Sequence, residues 1–273
     1  MRRLLYCELK RVLRDKLFMI TCFIGLGLAL FNPILYKIIF SALELEDMMA
    51  LLPGLGINAK SFFFQAFLPG NDFGLVMPIL LSIVICKDFS YGTVRNKIIS
   101  GAKRSEIYFS YLLTNAIIMC GVMLAYALTT LGVSLIFFEF SSTPFAIGDL
   151  PYLLLSVFFE MLVYVFVATL ASMLCVFAKN VGLVIVTYLG ISFSFTIIGS
   201  VVSTAVMLMP EKDGIVYELM KILANSNLFT SGIIGAGSEY SVGDVLCIVI
   251  PSVLGGTLFA LLGAIIFKKK DLK

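Results

Sequence analysis

Apolar positions run through this chain in long, nearly uncharged stretches that short charged stretches separate. Six of the stretches come close to or exceed the roughly 20 residues that a helix needs to cross a bilayer. The pattern therefore predicts six membrane-spanning helices, at residues 17–40, 68–86, 107–138, 151–178, 181–209 and 244–267. The second stretch is short and contains Pro78, but omitting it would place basic segments on opposite sides of the membrane.

Composition agrees with this pattern. Of the residues, 60% are apolar and 14% charged, and the mean hydropathy is +1.05. Soluble domains average about 45–50% apolar and about 25% charged residues. We therefore predict an all-α membrane protein with a single transmembrane domain over residues 1–273.

The basic residues show which way the spans run. Most Lys and Arg residues fall in segments 1–16, 87–106, 178–181 and 268–273. Such segments usually remain in the cytoplasm. We expect a multi-pass protein of the plasma membrane, the inner membrane of the cell, with both termini cytoplasmic.

Catalytic motifs are scarce in the sequence. The chain has no His, and its six cysteines form no C-x-x-C pair. Imidazole base catalysis and H-E-x-x-H metal sites are therefore excluded. We predict that the chain is not an enzyme, that it binds no cofactor of its own, and that it has no nucleic-acid partner.

One stretch, "GLGINAKS" at 54–61, comes close to a phosphate-binding P-loop. It has Ala59 where the motif needs its second glycine, no strand is predicted before it, and it falls on the outer side. A P-loop needs a strand, the glycine and a helix together. We interpret this stretch as an outer loop.

The N-terminal segment, residues 1–16, has apolar and basic residues on different sides of a helix. Apolar residues recur at helical spacing, namely Leu5, Leu9, Val12 and Leu13. This pattern predicts an amphipathic helix on the inner membrane surface, in contact with anionic lipids. A simple topology signal with no mechanical role is an equal alternative.

Segment 87–106 combines capping residues, an apolar stripe and basic residues. Ser90 can cap a helix that ends at Gly101, and Tyr91, Val94 and Ile98 would line one side of it. Asp88 and Lys97 lie at the ends that the helix dipole favours for their charges. The pattern predicts a docking helix, whereas a solvated basic loop would explain the charges alone.

Several short motifs in and around this segment resemble those of one known family. Asp88 is followed after three residues by Gly92, Thr93, Val94 and Arg95. Arg104 and Glu106 then open the third span, and the chain ends in "FKKKDL" at 267–272. This arrangement resembles the six-span permeases of type-2 ABC exporters.

The resemblance implies how the work of transport is divided. Segment 87–106 would be a coupling helix in a groove of a separate ATPase, present in two copies, which binds ATP and Mg²⁺. A second permease copy or a homologous permease would complete the transport path for a hydrophobic or amphipathic peptide, lipid-like molecule or drug. The implied coupling residues are Asp88, Tyr91, Gly92, Thr93, Val94, Arg95, Lys97, Ile98, Arg104 and Glu106.

A membrane anchor, a sensor or a channel-like protein without an ATPase is the alternative. For a transport path, the sequence offers the hydroxyl series Ser192, Thr196, Ser200 and Ser203, and also Glu160 in the fourth span. More commonly, such hydroxyls bond to carbonyls of their own helix or pack against a neighbouring helix, and we favour that interpretation. Glu160 can contact cargo or hold another helix.

The segment before the last span, 210–243, is predicted to lie outside. Its apolar residues favour a short surface helix and are Ile215, Val216, Leu219, Ile222 and Leu223. The family resemblance implies re-entrant helices in this segment.

Overall fold

The computed structural model describes residues 2–42, 58–140, 150–178, 180–209, 214–230 and 241–270. Within these ranges the chain is helical and contains no strand. The helices are α1 (Arg2–Arg14), α2 (Lys16–Ala42), α3 (Ala59–Phe67), α4 (Asp72–Ser90), α5 (Thr93–Ile99), α6 (Arg104–Phe137), α7 (Leu150–Ala178), α8 (Val181–Leu208), α9 (Ile215–Asn225) and α10 (Val242–Lys269).

Six helical stretches are long and apolar enough to cross a membrane, as predicted. They are α2, α3 with α4, α6, α7, α8 and α10. The second differs from the prediction of 68–86, because the chain turns at 68–71 and α4 then continues to Ser90. It continues past Lys87 and Asp88 because both side chains find partners of opposite charge, Asp88 with Arg11 of α1 and Lys87 with Asp15 between α1 and α2.

Helix α7 lies at the centre of the bundle. It packs closely against α10, where a side chain added at Gly255 would come within 2.8 Å of the Phe166 ring. Small residues allow membrane helices to approach in this way. The outer surfaces of α2, α8 and α10 remain exposed and apolar, as expected for helices that face lipid or another apolar surface.

Helices α1 and α5, the start of α6 and the last turn of α10 meet at one end of the bundle, which we call the basic end. The residues of α1 that are fully buried are Glu8 and Val12, whereas Leu13 is exposed. The predicted apolar face of α1 is therefore wrong at Leu13. The face that packs on the bundle includes a carboxylate, because that carboxylate is ion-paired there.

Helix α3 begins at the opposite end of the bundle. Asn58 caps it, and the backbone N–H groups of Ala59 and Lys60 donate to the carbonyls of Glu139 and Phe140 at 2.9 and 3.0 Å. Protein groups thus occupy the amides that a P-loop would offer to a phosphate. Gly54 lies outside the described residues.

Helix α9 lies in the predicted outer segment, against α8. Asn227, just beyond α9, donates a side-chain hydrogen bond to the carbonyl of Phe195 at 2.7 Å. A helix is present where predicted, and its five predicted apolar residues are all exposed, from 50% to 82%. Residues 210–213 and 231–240 of this segment lie outside the described residues.

Candidate functional site

The connection between α4 and α6 contains the short helix α5. Gly92, at φ +69°, separates α4 from α5, and Gly101, at φ +94°, follows α5. The left-handed position predicted at Gly101 is confirmed. The predicted N-cap at Ser90 is wrong, because Ser90 still belongs to α4 and its hydroxyl donates to the carbonyl of Cys86 at 3.2 Å.

A group of charged side chains fixes α5 to its neighbours. Asp88, buried in the last turn of α4, accepts hydrogen bonds from three other helices. The guanidinium of Arg11 in α1 donates to one carboxylate oxygen. Lys97 of α5 and the hydroxyl of Tyr111 in α6 donate to the other, at 3.0 and 2.6 Å.

Glu8 of α1 completes this group from the other side. Its carboxylate accepts a hydrogen bond from Lys97 and lies 2.7 Å from the guanidinium of Arg11. Burial lowers the pKa of Lys97, and the hydrogen bond to Glu8 opposes that shift. We call this group the Asp88–Lys97 cluster; it comprises Glu8, Arg11, Asp88, Lys97 and Tyr111.

The charges of the Asp88–Lys97 cluster balance one another. The side chains of Glu8 and Asp88 are 3% and 4% exposed, so water screens them little. Buried charges are tolerated where opposite charges and hydrogen bonds satisfy them. The two carboxylates and two cations therefore hold α1, α4 and α5 together, and Tyr111 adds α6.

Helix α5 turns one face to the bundle and the other away from it. Val94 is buried and Ile98 half-buried, so this part of the predicted stripe packs inward. Tyr91 does not belong to the stripe: it precedes α5 and is 77% exposed. With Arg95 and Ile99, which is 73% exposed, it forms what we call the outer face of α5.

Arg104 joins the start of α6 to the end of α10. Its guanidinium donates to the carbonyls of Lys268 and Lys270, each at 2.9 Å. The amine of Lys270 donates in turn to the carbonyl of Phe177 near the end of α7, at 2.9 Å. Basic groups are favourable at helix carboxyl ends, whose last carbonyls lack partners within the helix.

The remaining predicted coupling residues, Thr93 and Glu106, lie at the starts of α5 and α6. Thr93 begins α5 and is half-buried. Glu106 lies in the first turn of α6, where the helix dipole favours a negative charge, and is also half-buried. Neither belongs to the Asp88–Lys97 cluster.

Glu160 lies in the interior of the bundle on α7. One oxygen of its carboxylate has no hydrogen-bond partner, and the same holds for the hydroxyls of Tyr164, Tyr188 and Ser192. Glu160 and Tyr164 lie four residues apart on α7 and therefore on the same face of that helix. The structure thus places unsatisfied polar atoms of α7 and α8 in the bundle interior.

The predicted hydroxyl series on α8 does not share one environment. Ser192 is buried and Thr196 half-buried, whereas Ser200 and Ser203 are exposed. Ser200 lies about 80° around the helix from Ser192, because each residue turns the helix by about 100°. Only the first two members of the series therefore face inward.

A family model matches residues 18–273, and its description reads "Protein of unknown function (DUF2705)". The chain belongs to this family. No curated protein matches the sequence. The DUF2705 match includes Asp88, all of α5 and the interior polar groups, and it begins after Glu8 and Arg11.

Four residues of the site were missed by sequence reasoning. Glu8, Arg11 and Tyr111 belong to the Asp88–Lys97 cluster, and Ile99 belongs to the outer face of α5. For Glu8 there was one indication in the sequence, because it is an acidic residue on the buried side of a basic amphipathic helix. Its partner Lys97 is 89 residues away, and no local pattern indicates such a pairing.

Proposed function

We propose that this DUF2705 protein is the membrane-spanning permease subunit of an ATP-driven ABC export system. The observation that carries the proposal is the two-sided arrangement of α5. Its inner face is fixed by buried ion pairs, while its outer face offers Tyr91, Arg95 and Ile99. Exposed aromatic and Arg side chains are enriched where proteins bind one another.

The proposed partner is a separate ATPase, present in two copies, which binds ATP and Mg²⁺. A groove on it would cover Tyr91 and Ile99, and a carboxylate there would pair with Arg95. A displacement of α5 would then reach α1, α4 and α6 together, because the Asp88–Lys97 cluster joins all four helices. Helix α5 would in this way serve as the coupling helix.

In this proposal the protein lies in the plasma membrane with its basic end in the cytoplasm. The concentration of Lys and Arg near that end favours this orientation. Helix α1 would lie along the inner leaflet, where its exposed basic residues meet anionic lipid headgroups. The segment at 210–243, with α9, would close the path on the outside.

The cargo path would run between this chain and a second permease, either another copy or a homologue. Ser200 and Ser203 are exposed on α8, where a second permease could cover them. Glu160, Ser192 and Thr196 would add polar groups from within the bundle. Such a path suits a hydrophobic or amphipathic peptide, lipid-like molecule or drug.

Co-purification tests the proposal. The full chain is isolated in mild detergent from its native cells, and ATP hydrolysis is measured in the bound material. The test variant combines Arg95→Glu with Ile99→Glu on the outer face of α5. The matched control, Lys10→Glu, makes the same charge change as Arg95→Glu at an exposed residue of α1.

We expect ATPase activity to accompany the wild type and the Lys10→Glu control, and to be lost from the α5 variant. Gel filtration and circular dichroism establish that each variant remains folded. Equal ATPase activity with all three proteins would refute a docking role for the outer face of α5. No ATPase with any of them, under conditions that preserve membrane complexes, would favour an anchor, sensor or channel-like protein.

A further inference from the structure

A cavity of about 220 Å³ lies among α2, α3, α4 and α6, away from the basic end. Three aromatic side chains, Tyr36, Phe62 and Tyr126, form part of its wall. The rings of Tyr36 and Phe62 meet edge to face, with centroids 5.2 Å apart. Asp72 and Asn32 supply polar groups to the same cavity.

Asp72 gives the cavity a negative charge. It is the first residue of α4, and its φ of +36° is unusual for a residue other than glycine. Its carboxylate accepts a hydrogen bond from the amide of Asn32 at 2.7 Å. Among the described residues it forms no ion pair, so this charge has no cationic partner from the chain there.

A second, apolar crevice of about 200 Å³ adjoins this cavity. Both are lined by Tyr126, and the crevice is also lined by Phe73, the residue after Asp72. Gly25 and Gly121 lie along the crevice on α2 and α6. A side chain added at Gly25 would come within 2.6 Å of the Phe73 ring, whereas one at Gly121 would meet no atom within 4 Å.

The two spaces follow one another along the helices. The crevice includes Cys22 of α2, while the cavity includes Asn32, ten residues further along the same helix. At 1.5 Å per residue this is about 15 Å. A negatively charged aromatic pocket therefore adjoins an apolar crevice that extends toward the basic end.

We propose that the two adjacent spaces bind the ammonium head of an amphiphile and one of its hydrocarbon chains. The head lies beside Asp72 and against the aromatic faces, which attract cations. The chain lies in the crevice and is removed from water there. Asp72 would repel an anionic head of the same size.

Binding of this amphiphile does not depend on the proposed ATPase. The two proposals concern different ends of the bundle and are tested by different measurements. Loss of ATPase co-purification would leave amphiphile binding intact, and loss of amphiphile binding would leave co-purification intact.

The test uses the full chain in dodecyl maltoside, a detergent with an uncharged head. Saturable binding of tritiated decyltrimethylammonium is measured by scintillation proximity. Asp72→Asn removes the charge but keeps a residue that tolerates positive φ. Gly121→Leu fills the crevice. Its matched control is Gly132→Leu, also on α6, where an added side chain would likewise meet no atom within 4 Å.

We expect one saturable site in the wild type and in Gly132→Leu. Asp72→Asn and Gly121→Leu should each weaken binding at least tenfold. Unlabelled decyltrimethylammonium should displace the probe, and decyl sulfate should not. The proposal is overturned if Asp72→Asn binds as the wild type does, or if decyl sulfate displaces the probe equally well. If Asp72→Asn fails to fold, unchanged binding by Gly121→Leu overturns it instead.

Competition identifies the source of the ammonium head. Phosphatidylethanolamine and a phosphatidylglycerol of the same acyl chains are added separately to the micelles. Displacement by phosphatidylethanolamine alone supports a membrane lipid as the ligand. Displacement by neither lipid, with probe binding intact, supports a free cationic amphiphile. Equal displacement by both contradicts recognition of the ammonium group.

Discussion

Asp88 shows how a single carboxylate can join several helices. Its side chain is 4% exposed, and groups from α1, α5 and α6 donate to it. In a region that water reaches poorly, an ionised carboxylate depends on such partners, and the partners depend equally on it. Loss of one charge therefore affects the side chains that remain.

Asp88→Ala should destabilise the protein by about 3–5 kcal/mol, because Arg11 and Lys97 would then share a single buried carboxylate. The measurement is the shift of the unfolding midpoint in detergent. The matched control is Asp15→Asn, because Asp15 pairs with Lys87 at 3.4 Å in a more exposed position. The control should cost less than about 1 kcal/mol. Equal losses of stability in Asp88→Ala and Asp15→Asn would show that the Asp88–Lys97 cluster is not a buried network.

Among the helices, the apolar runs alone were sufficient to predict six that are long enough to span a membrane. The turn at 68–71 and the true start of α5 could not be predicted in the same way. Ser90 is a good cap by local rules, yet α4 extends through it to bring Asp88 beside Arg11 and Lys97. A partner 77 residues away, Arg11, thus helps to decide where the helix ends.

Gly92→Ala should cost about 1–2 kcal/mol, because Gly92 has φ +69° and an L side chain is strained there. Open space surrounds this glycine, so the loss would come from the backbone alone. Gly92→Asn should cost less, because Asn tolerates this conformation better. Chemical unfolding in detergent measures each change.

The control for this experiment is Gly132→Ala, within α6 and equally open. It should stabilise the protein by about 0.5–1 kcal/mol, because Ala is favoured over Gly in a helix. If both alanine variants changed stability in the same direction, backbone strain at Gly92 would be the wrong explanation.

Arg104→Met should loosen the last turn of α10 by removing two hydrogen bonds to its carbonyls. We expect a local loss of about 1–3 kcal/mol, seen as faster amide hydrogen exchange near Lys268. The control is Lys103→Met, which removes the charge of an exposed neighbour. Unchanged exchange in Arg104→Met would show that these hydrogen bonds do not hold α10 in place.

The basic end of the bundle brings together segments that are distant in sequence. Arg104 of α6 bonds to the end of α10, and Lys270 bonds to the end of α7. Asp88 of α4 pairs with Arg11 of α1. In the sequence, the Lys and Arg residues of these segments indicated only that the segments lie on the same side of the membrane. The specific pairs depend on packing and could not be deduced from charge alone.

Cys7 allows the proposed orientation to be tested. It is exposed on α1, whereas the other five cysteines are buried or half-buried in the helices. A membrane-impermeant maleimide should label Cys7 in inverted membrane vesicles and leave it unlabelled in intact cells. Cys7→Ser should remove that labelling. Strong Cys7 labelling in intact cells would mean that the basic end faces outward.

The attachments of α5 also decide how stiff this part of the molecule is. Glycines with positive φ precede and follow α5, and by themselves they would allow α5 to move relative to the bundle. Lys97 prevents this by bonding to α1, α4 and α6 at once. A load applied to Tyr91 or Ile99 would therefore be shared among three helices, and α5 would act as a rigid lever.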